Sequence, residues 1–157
     1  MQFKSFKKFI GYWLLDNFFI KKITHMTRGY LEIAQICTIE EIRNFKNDCP
    51  KELPDTYVNF IAENHSVEGD LPCNPFYFRL WKANEVMGNN VDYEVKDYIP
   101  TYFAIGDQGG GEMFVINLKD KKVYLIPFVP MDEEARIECF ESFTVFIKKM
   151  GWRSEET

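Results

Sequence analysis

The sequence predicts an α+β domain in which a largely antiparallel sheet, a meander, packs against helices. Three observations carry that reading. Ile99–Phe128 reads as three short strands in succession, Tyr102–Ile105, Glu112–Asn117 and Lys122–Phe128. Each is rich in aromatic and β-branched residues and bounded by turn chemistry. Two segments ahead of it carry apolar residues at helical spacing behind helix-start signals, and Ser142–Met150 closes the chain as an amphipathic helix.

The totals fit one domain. At 157 residues with 46% apolar and 17% aromatic side chains, the chain can bury a proper core. No apolar run reaches the roughly 20 residues needed to cross a bilayer. Cys37, Cys49, Cys73 and Cys139 stand too far apart for a CxxC metal knuckle or a dense disulfide framework. Reduced structural thiols in a cytoplasmic protein are therefore expected.

The net charge of −5 is unevenly spread. Residues 1–28 hold six basic side chains against Asp16, a balance of +5, so the remainder, with 13 basic and 23 acidic side chains, carries −10. Phosphate contacts dominate nucleic-acid affinity, so an acidic body disfavours a nucleic-acid partner and favours a basic protein, whose approach it steers.

In chain order, Phe3–Ile23 has an aromatic face (Phe3, Phe6, Phe9, Ile10, Trp13) opposite Lys4, Lys7, Lys8 and Lys22. Asp16 interrupts it and no small-residue cleavage site follows, unlike a secretory signal. A membrane-surface helix is chemically possible; a helix packed on the domain or on a partner is the reading preferred. Gly29–Gln35 alternates weakly, as a short strand or a lead into the next helix. Thr38 with Glu41 makes a capping box for a helix from Ile39 to about Asn47, stopped before Pro50. Pro54 and Asp55 open a second helix to about Asn64, with Tyr57, Phe60 and Ile61 on one face.

Residues 65–75, punctuated by Gly69, Pro72 and Pro75, read as a loop. Phe76–Trp81 reads as a strand, Lys82–Val86 as a short helical turn, Gly88-Asn89-Asn90 as a turn, and Asp92–Tyr98 as an acidic, aromatic connector. The Gly106–Gly111 loop lacks the Lys-Ser/Thr of a P-loop, and Asp107 and Glu112 would repel phosphate, so a sharp, strand-linking corner is expected, its glycines able to take φ > 0 at little steric cost. Asp132–Ala135 reads as an acidic helix start or loop. In the closing helix Lys148 and Lys149 suit the C-terminal end and Gly151 the cap.

The order of these elements, and several of their residues, resembles the SUKH superfamily (SMI/KNR-like domains). The matching pieces are Leu53-Pro54-Asp55-Thr56-Tyr57-Val58-Asn59-Phe60, Ile99-Pro100, Phe103-Ala104-Ile105-Gly106-Asp107, Gly111-Glu112, the Asn117–Val123 hairpin and Ser142-Phe143 with Phe146. The resemblance covers about residues 38–152. It divides the chain into a basic extension, 1–37, a SUKH-like domain, 38–152, and a tail, 153–157. The sequence departs from the family pattern at Glu112 and Asn117, where an Asp is frequent, and in the long basic lead-in. Bacterial members are typically immunity proteins that bind secreted polymorphic toxins, often nucleases, in the cytosol; others are regulatory interaction modules.

The resemblance implies a non-catalytic protein without metal or cofactor, with a cognate toxin, a basic protein, as partner. His25 and His65 fall in irregular segments and form no evident triad. Asp92, Tyr93, Glu94, Asp97, Asp107 and Glu112 are expected to face the partner, with Tyr93, Tyr98 and Tyr102 read either as aromatic anchors there or as core and edge-strand packing. Leu53, Pro54, Tyr57, Phe60, Gly106 and Gly111 are expected to hold the fold.

Overall fold

The computed structural model describes residues 26–154. The Phe3–Ile23 helix and His25 lie outside them. The described strands are β1 (Met26–Arg28), β2 (Leu31–Gln35), β3 (Ser66–Asp70), β4 (Tyr77–Leu80), β5 (Tyr102–Asp107), β6 (Glu112–Asn117), β7 (Val123–Pro127), β8 (Ile137–Phe140) and β9 (Trp152–Ser154). The helices are α1 (Ile39–Asp48), α2 (Asp55–Asn64), α3 (Ala83–Asp92), α4 (Val95–Tyr98) and α5 (Phe143–Lys149).

β2 to β8 form one seven-stranded sheet whose spatial order equals its chain order, every pair antiparallel. The expected α+β meander is therefore present and longer than the sequence indicated. β1 and β9 make a separate antiparallel pair. Asp70 ties that pair to the sheet: its carboxylate accepts from the Tyr30 N–H at 2.6 Å and from Arg153 Nε at 2.8 Å.

Opposed residues in antiparallel strands share a face. Register thus places Phe78, Leu80, Phe114, Leu125 and Phe140 on one side of the sheet, and Arg79, Asp107, Met113 and Ile126 on the other. α5 closes the first side. Phe146 lies 4.6 Å from Phe140, 5.1 Å from Phe114 and 5.4 Å from Phe78, ring centre to ring centre. Phe143 continues the aromatic core to Tyr57 and Phe60 of α2 at 5.1 and 5.5 Å. Leu53 is buried beside them, and Pro54 occupies the N-cap position of α2.

The capping box forms as read: Glu41 N–H donates to Thr38 Oγ1 and Thr38 N–H to Glu41 Oε2. Ser142 caps α5 through the Val145 N–H, and Gly151 follows with φ +79°.

Three local expectations are corrected. Residues 66–70 are a strand, not loop, because Val67 and Gly69 are buried between β2 and β4. Gly69 permits that: a Cβ there would lie 2.3 Å from the Tyr30 carbonyl oxygen. Residues 83–92 form one continuous helix through Gly88-Asn89-Asn90. Asn90 is spent on tertiary contacts, its side chain accepting from Ala104 N–H at 2.9 Å and donating to Ala104 C=O at 2.8 Å. It thereby serves backbone groups beside the bulge between Ala104 and Gly106, stitching α3 to β5.

The third correction concerns the glycine corner. Gly106 and Asp107 belong to β5, and only Gly109 of the run Gly106–Gly111 has positive φ. Gly106 is required for proximity instead: a Cβ there would stand 2.2 Å from the Arg79 carbonyl oxygen. Gly111 has open space around it. Gly106→Ala should therefore lower unfolding free energy by about 2–3 kcal/mol, as overpacking against immovable backbone does, while Gly111→Ala changes it by less than about 1 kcal/mol. Urea denaturation of both variants checks this, and equal effects would refute the distinction.

Alkaline pH is a second lever. Burial holds the Tyr57 hydroxyl well above the ordinary tyrosine range, and burial together with donation to Asp120 at 2.6 Å lifts Tyr124 to about 12. An unfolded tyrosine ionises near about 10. The stability these raised values represent is fully present below about pH 10 and is lost as pH rises toward the folded values. The Tyr57 hydroxyl is also buried without a hydrogen-bond partner. Tyr57→Phe should equal or exceed the parent by about 1 kcal/mol at pH 7 and lose less stability between pH 9 and pH 11. Thermal unfolding across that range reads both, and a steeper alkaline loss in the variant would contradict the assignment.

Candidate functional site

α3 ends at Asp92, and the chain turns through Tyr93 and Glu94 into the single turn of α4. Glu94 adopts φ +54°, ψ +36°, a left-handed conformation uncommon for a side chain of this size. The result is a ridge. Val95 and Ile99 are buried beneath it, while Asp92, Tyr93, Glu94, Lys96, Asp97 and Tyr98 are exposed.

On one flank of the ridge an open groove with a volume of 1020 Å³ runs between Tyr93 and Tyr98 and the connection from Phe128 to Arg136. Its apolar lining comes from the two tyrosines, Phe128 and Val129, and its carboxylates from Asp132, Glu133 and Glu134. On the other flank Glu94, Lys96 and Asp97 border a smaller groove of 540 Å³, lined also by Met87, Val91 and Phe103.

The aromatic wall is built from below. Tyr93 stacks on Trp81 with ring centres 6.1 Å apart and a 29° interplanar angle, and packs on Phe128 at 4.8 Å. It remains 44% exposed, so it is held on two sides and open on the rest. Trp81 is itself fixed, its indole N–H donating to Asp107 Oδ2 at 2.8 Å. The same oxygen accepts from Arg79 Nη2 at 2.8 Å, and Oδ1 accepts from the Gly109 N–H at 2.9 Å. Three donors thus offset the cost of burying this carboxylate.

Asp107 was expected to face a partner; it is 5% exposed and anchors Trp81 instead. The cause is register, since Asp107 lies directly opposite Arg79 on the sheet face that carries Trp81 two residues on. Glu112 does not join the ridge either. It is half-buried on the opposite sheet face from Asp107 and accepts from Gln108 Nε2 at 3.2 Å. Tyr102 is buried, packed edge-on against Tyr124 at 5.7 Å, and its hydroxyl donates to Glu133 Oε1 at 3.2 Å. It supports the groove beside Tyr93 without lining it, and contributes to the wall of the smaller groove. The structure brings together Asp92, Tyr93, Glu94, Asp97 and Tyr98.

Sequence reasoning passed over Trp81, Phe128 and Val129. The first was legible: alternation along Phe76–Trp81 puts Trp81 on the side of Arg79. Phe128 reads from sequence as the last residue of the third strand, which in the structure ends at Pro127, and Val129 follows in a segment without periodicity.

A family model described as the SMI1 / KNR4 family (SUKH-1) matches residues 36–149, more than half of the chain. The chain belongs to that family. No curated protein matches it. In this SUKH-1 chain His65 is structural, closing α2 while its Nδ1 accepts from the Cys37 N–H at 3.0 Å. Among the described residues no group of three or more His, Cys, Asp or Glu could hold a metal ion, and no helix is long and apolar enough to cross a membrane.

Asp107→Ala should lower stability by about 2–3 kcal/mol, the range for losing hydrogen bonds to a charged group, and should weaken the near-UV circular dichroism of the Trp81–Tyr93 stack. Arg79→Ala, which removes the counter-charge but leaves the Trp81 and Gly109 donors, should cost less than Asp107→Ala, about 1–2 kcal/mol, and keep the near-UV signal. An Asp107→Ala protein with the parent's near-UV spectrum would remove the anchoring role.

Proposed function

We propose that the chain is a non-catalytic binding protein that neutralises a cognate toxin in the cytosol by covering a basic surface of it. The observation that carries this reading is Tyr93, clamped between Trp81 and Phe128 yet open to solvent beside three carboxylates. A rigid aromatic loses little conformational freedom on binding, and such residues concentrate interface energy. Family membership supports an interaction module, and the −10 balance of residues 29–157 supports a basic partner such as a nuclease, whose encounter it would accelerate. Asp92, Glu94 and Asp97 on the ridge extend the acidic surface toward the second groove.

Co-expression with the toxin-like product of an adjacent gene should restore growth. Tyr93→Ala should weaken the complex about 30-fold or more, as truncating an interface hot spot does, and leave stability within about 1–2 kcal/mol of the parent. Absence of a neighbouring toxin, or failed rescue with both proteins made, would end the immunity reading.

A further inference from the structure

The groove beside Tyr93 has a more specific chemistry than negative charge. Tyr98 is 61% exposed and Tyr93 44%, and both line it. The opposite rim is Asp132, Glu133 and Glu134, with Arg136 as the cationic residue lining the groove. Three carboxylates against one guanidinium leave two negative charges. Arg136 is already engaged: its guanidinium lies 6.0 Å from the centre of the Tyr124 ring, 3.8 Å from Glu133 Oε1, and Nη1 donates to the Glu133 carbonyl at 3.0 Å. One wall of the groove therefore holds an internal arginine between a tyrosine face and a carboxylate. Glu134 and Asp132, whose Oδ1 accepts from the Glu134 N–H at 2.9 Å and whose other oxygen takes no part in that cap, offer with Tyr98 the same two chemistries to a group arriving from outside.

Resting on the binding function above, we propose that this groove seats an arginine side chain of the protein partner, its guanidinium against the exposed Tyr98 ring and beside the open part of Tyr93, and paired with Asp132 and Glu134. Arginine fits better than lysine. A planar guanidinium stacks on a ring while its edge meets carboxylate oxygens, whereas an ammonium is a compact, strongly hydrated charge. The aromatic wall is in place before binding, because Asp107 fixes Trp81 and Trp81 fixes Tyr93.

The test titrates the ¹⁵N-labelled full chain with N-acetyl-arginine amide, its lysine counterpart and the uncharged citrulline isostere, following amide resonances of residues 93–98 and 128–136. The arginine amide should shift them saturably, the lysine amide at several-fold higher concentration, and citrulline not at all. Tyr98→Leu, which keeps apolar bulk, should weaken arginine binding about threefold, and the double variant Asp132→Asn with Glu134→Gln about fivefold or more. Equal binding of lysine or citrulline, or shifts centred elsewhere, would overturn the assignment. Growth rescue by the Tyr98→Leu and double variants separates the two ideas. Weakened rescue alongside arginine-selective shifts supports both. Full rescue by the double variant overturns the arginine site and leaves toxin neutralisation standing.

Discussion

A buried carboxylate governs the geometry of the ridge and its grooves. Asp107 sits at the end of β5, where water cannot screen it, and it is tolerable there because Arg79, Trp81 and the Gly109 N–H surround it with donors. Each donor is thereby positioned in turn. Arg79 is pulled across from β4, the Gly109 turn is pinned, and the indole of Trp81 is held in one orientation. Tyr93 then stacks on that indole, and Phe128 packs against Tyr93 at a 52° tilt. Order therefore spreads from an interior charge to an exposed ring through contacts that each restrict the next.

The bulge in β5 is the second constraint. One extra residue between Ala104 and Gly106 shifts the register against β6, so that Gly106 faces the core side and Asp107 the α3 side. Without it, Asp107 would turn to the face that carries Phe114 and Glu112, away from Trp81. Asn90 completes the backbone pairing of Ala104 at the bulge, which explains why α3 lies where it does. Gly106, Asn90 and Asp107 act as one local unit of backbone proximity, backbone satisfaction and side-chain anchoring.

The core on the other side of the sheet has a different logic. Phe78, Phe114, Phe140, Phe143 and Phe146 fill it by area and shape with little polar constraint. The α3 face is buried as well, through Met113 and Ile126, but it also carries the Asp107 network. Such a division suits a binding protein, since surface residues on the ridge can vary while the aromatic core keeps the sheet in place.

Much of the fold was legible in local sequence. The capping box at Thr38, the Pro54 helix start, the three strands of residues 102–128 and the Ser142 helix rest on interactions within a few residues, which sequence displays directly. Tertiary context decided the rest. Residues 66–70 are a strand because β2 and β4 flank them, α3 runs through three unpromising residues because Ala104 needs Asn90, and β8 and β9 exist because partner strands stand beside them. By itself the sequence determined an acidic α+β meander with a connector rich in carboxylates and tyrosines. Only the tertiary structure decided that Asp107 turns inward and that residues 128–136 face Tyr93, because the register of a bulged strand and the meeting of distant loops are set by long-range contacts that no local pattern encodes.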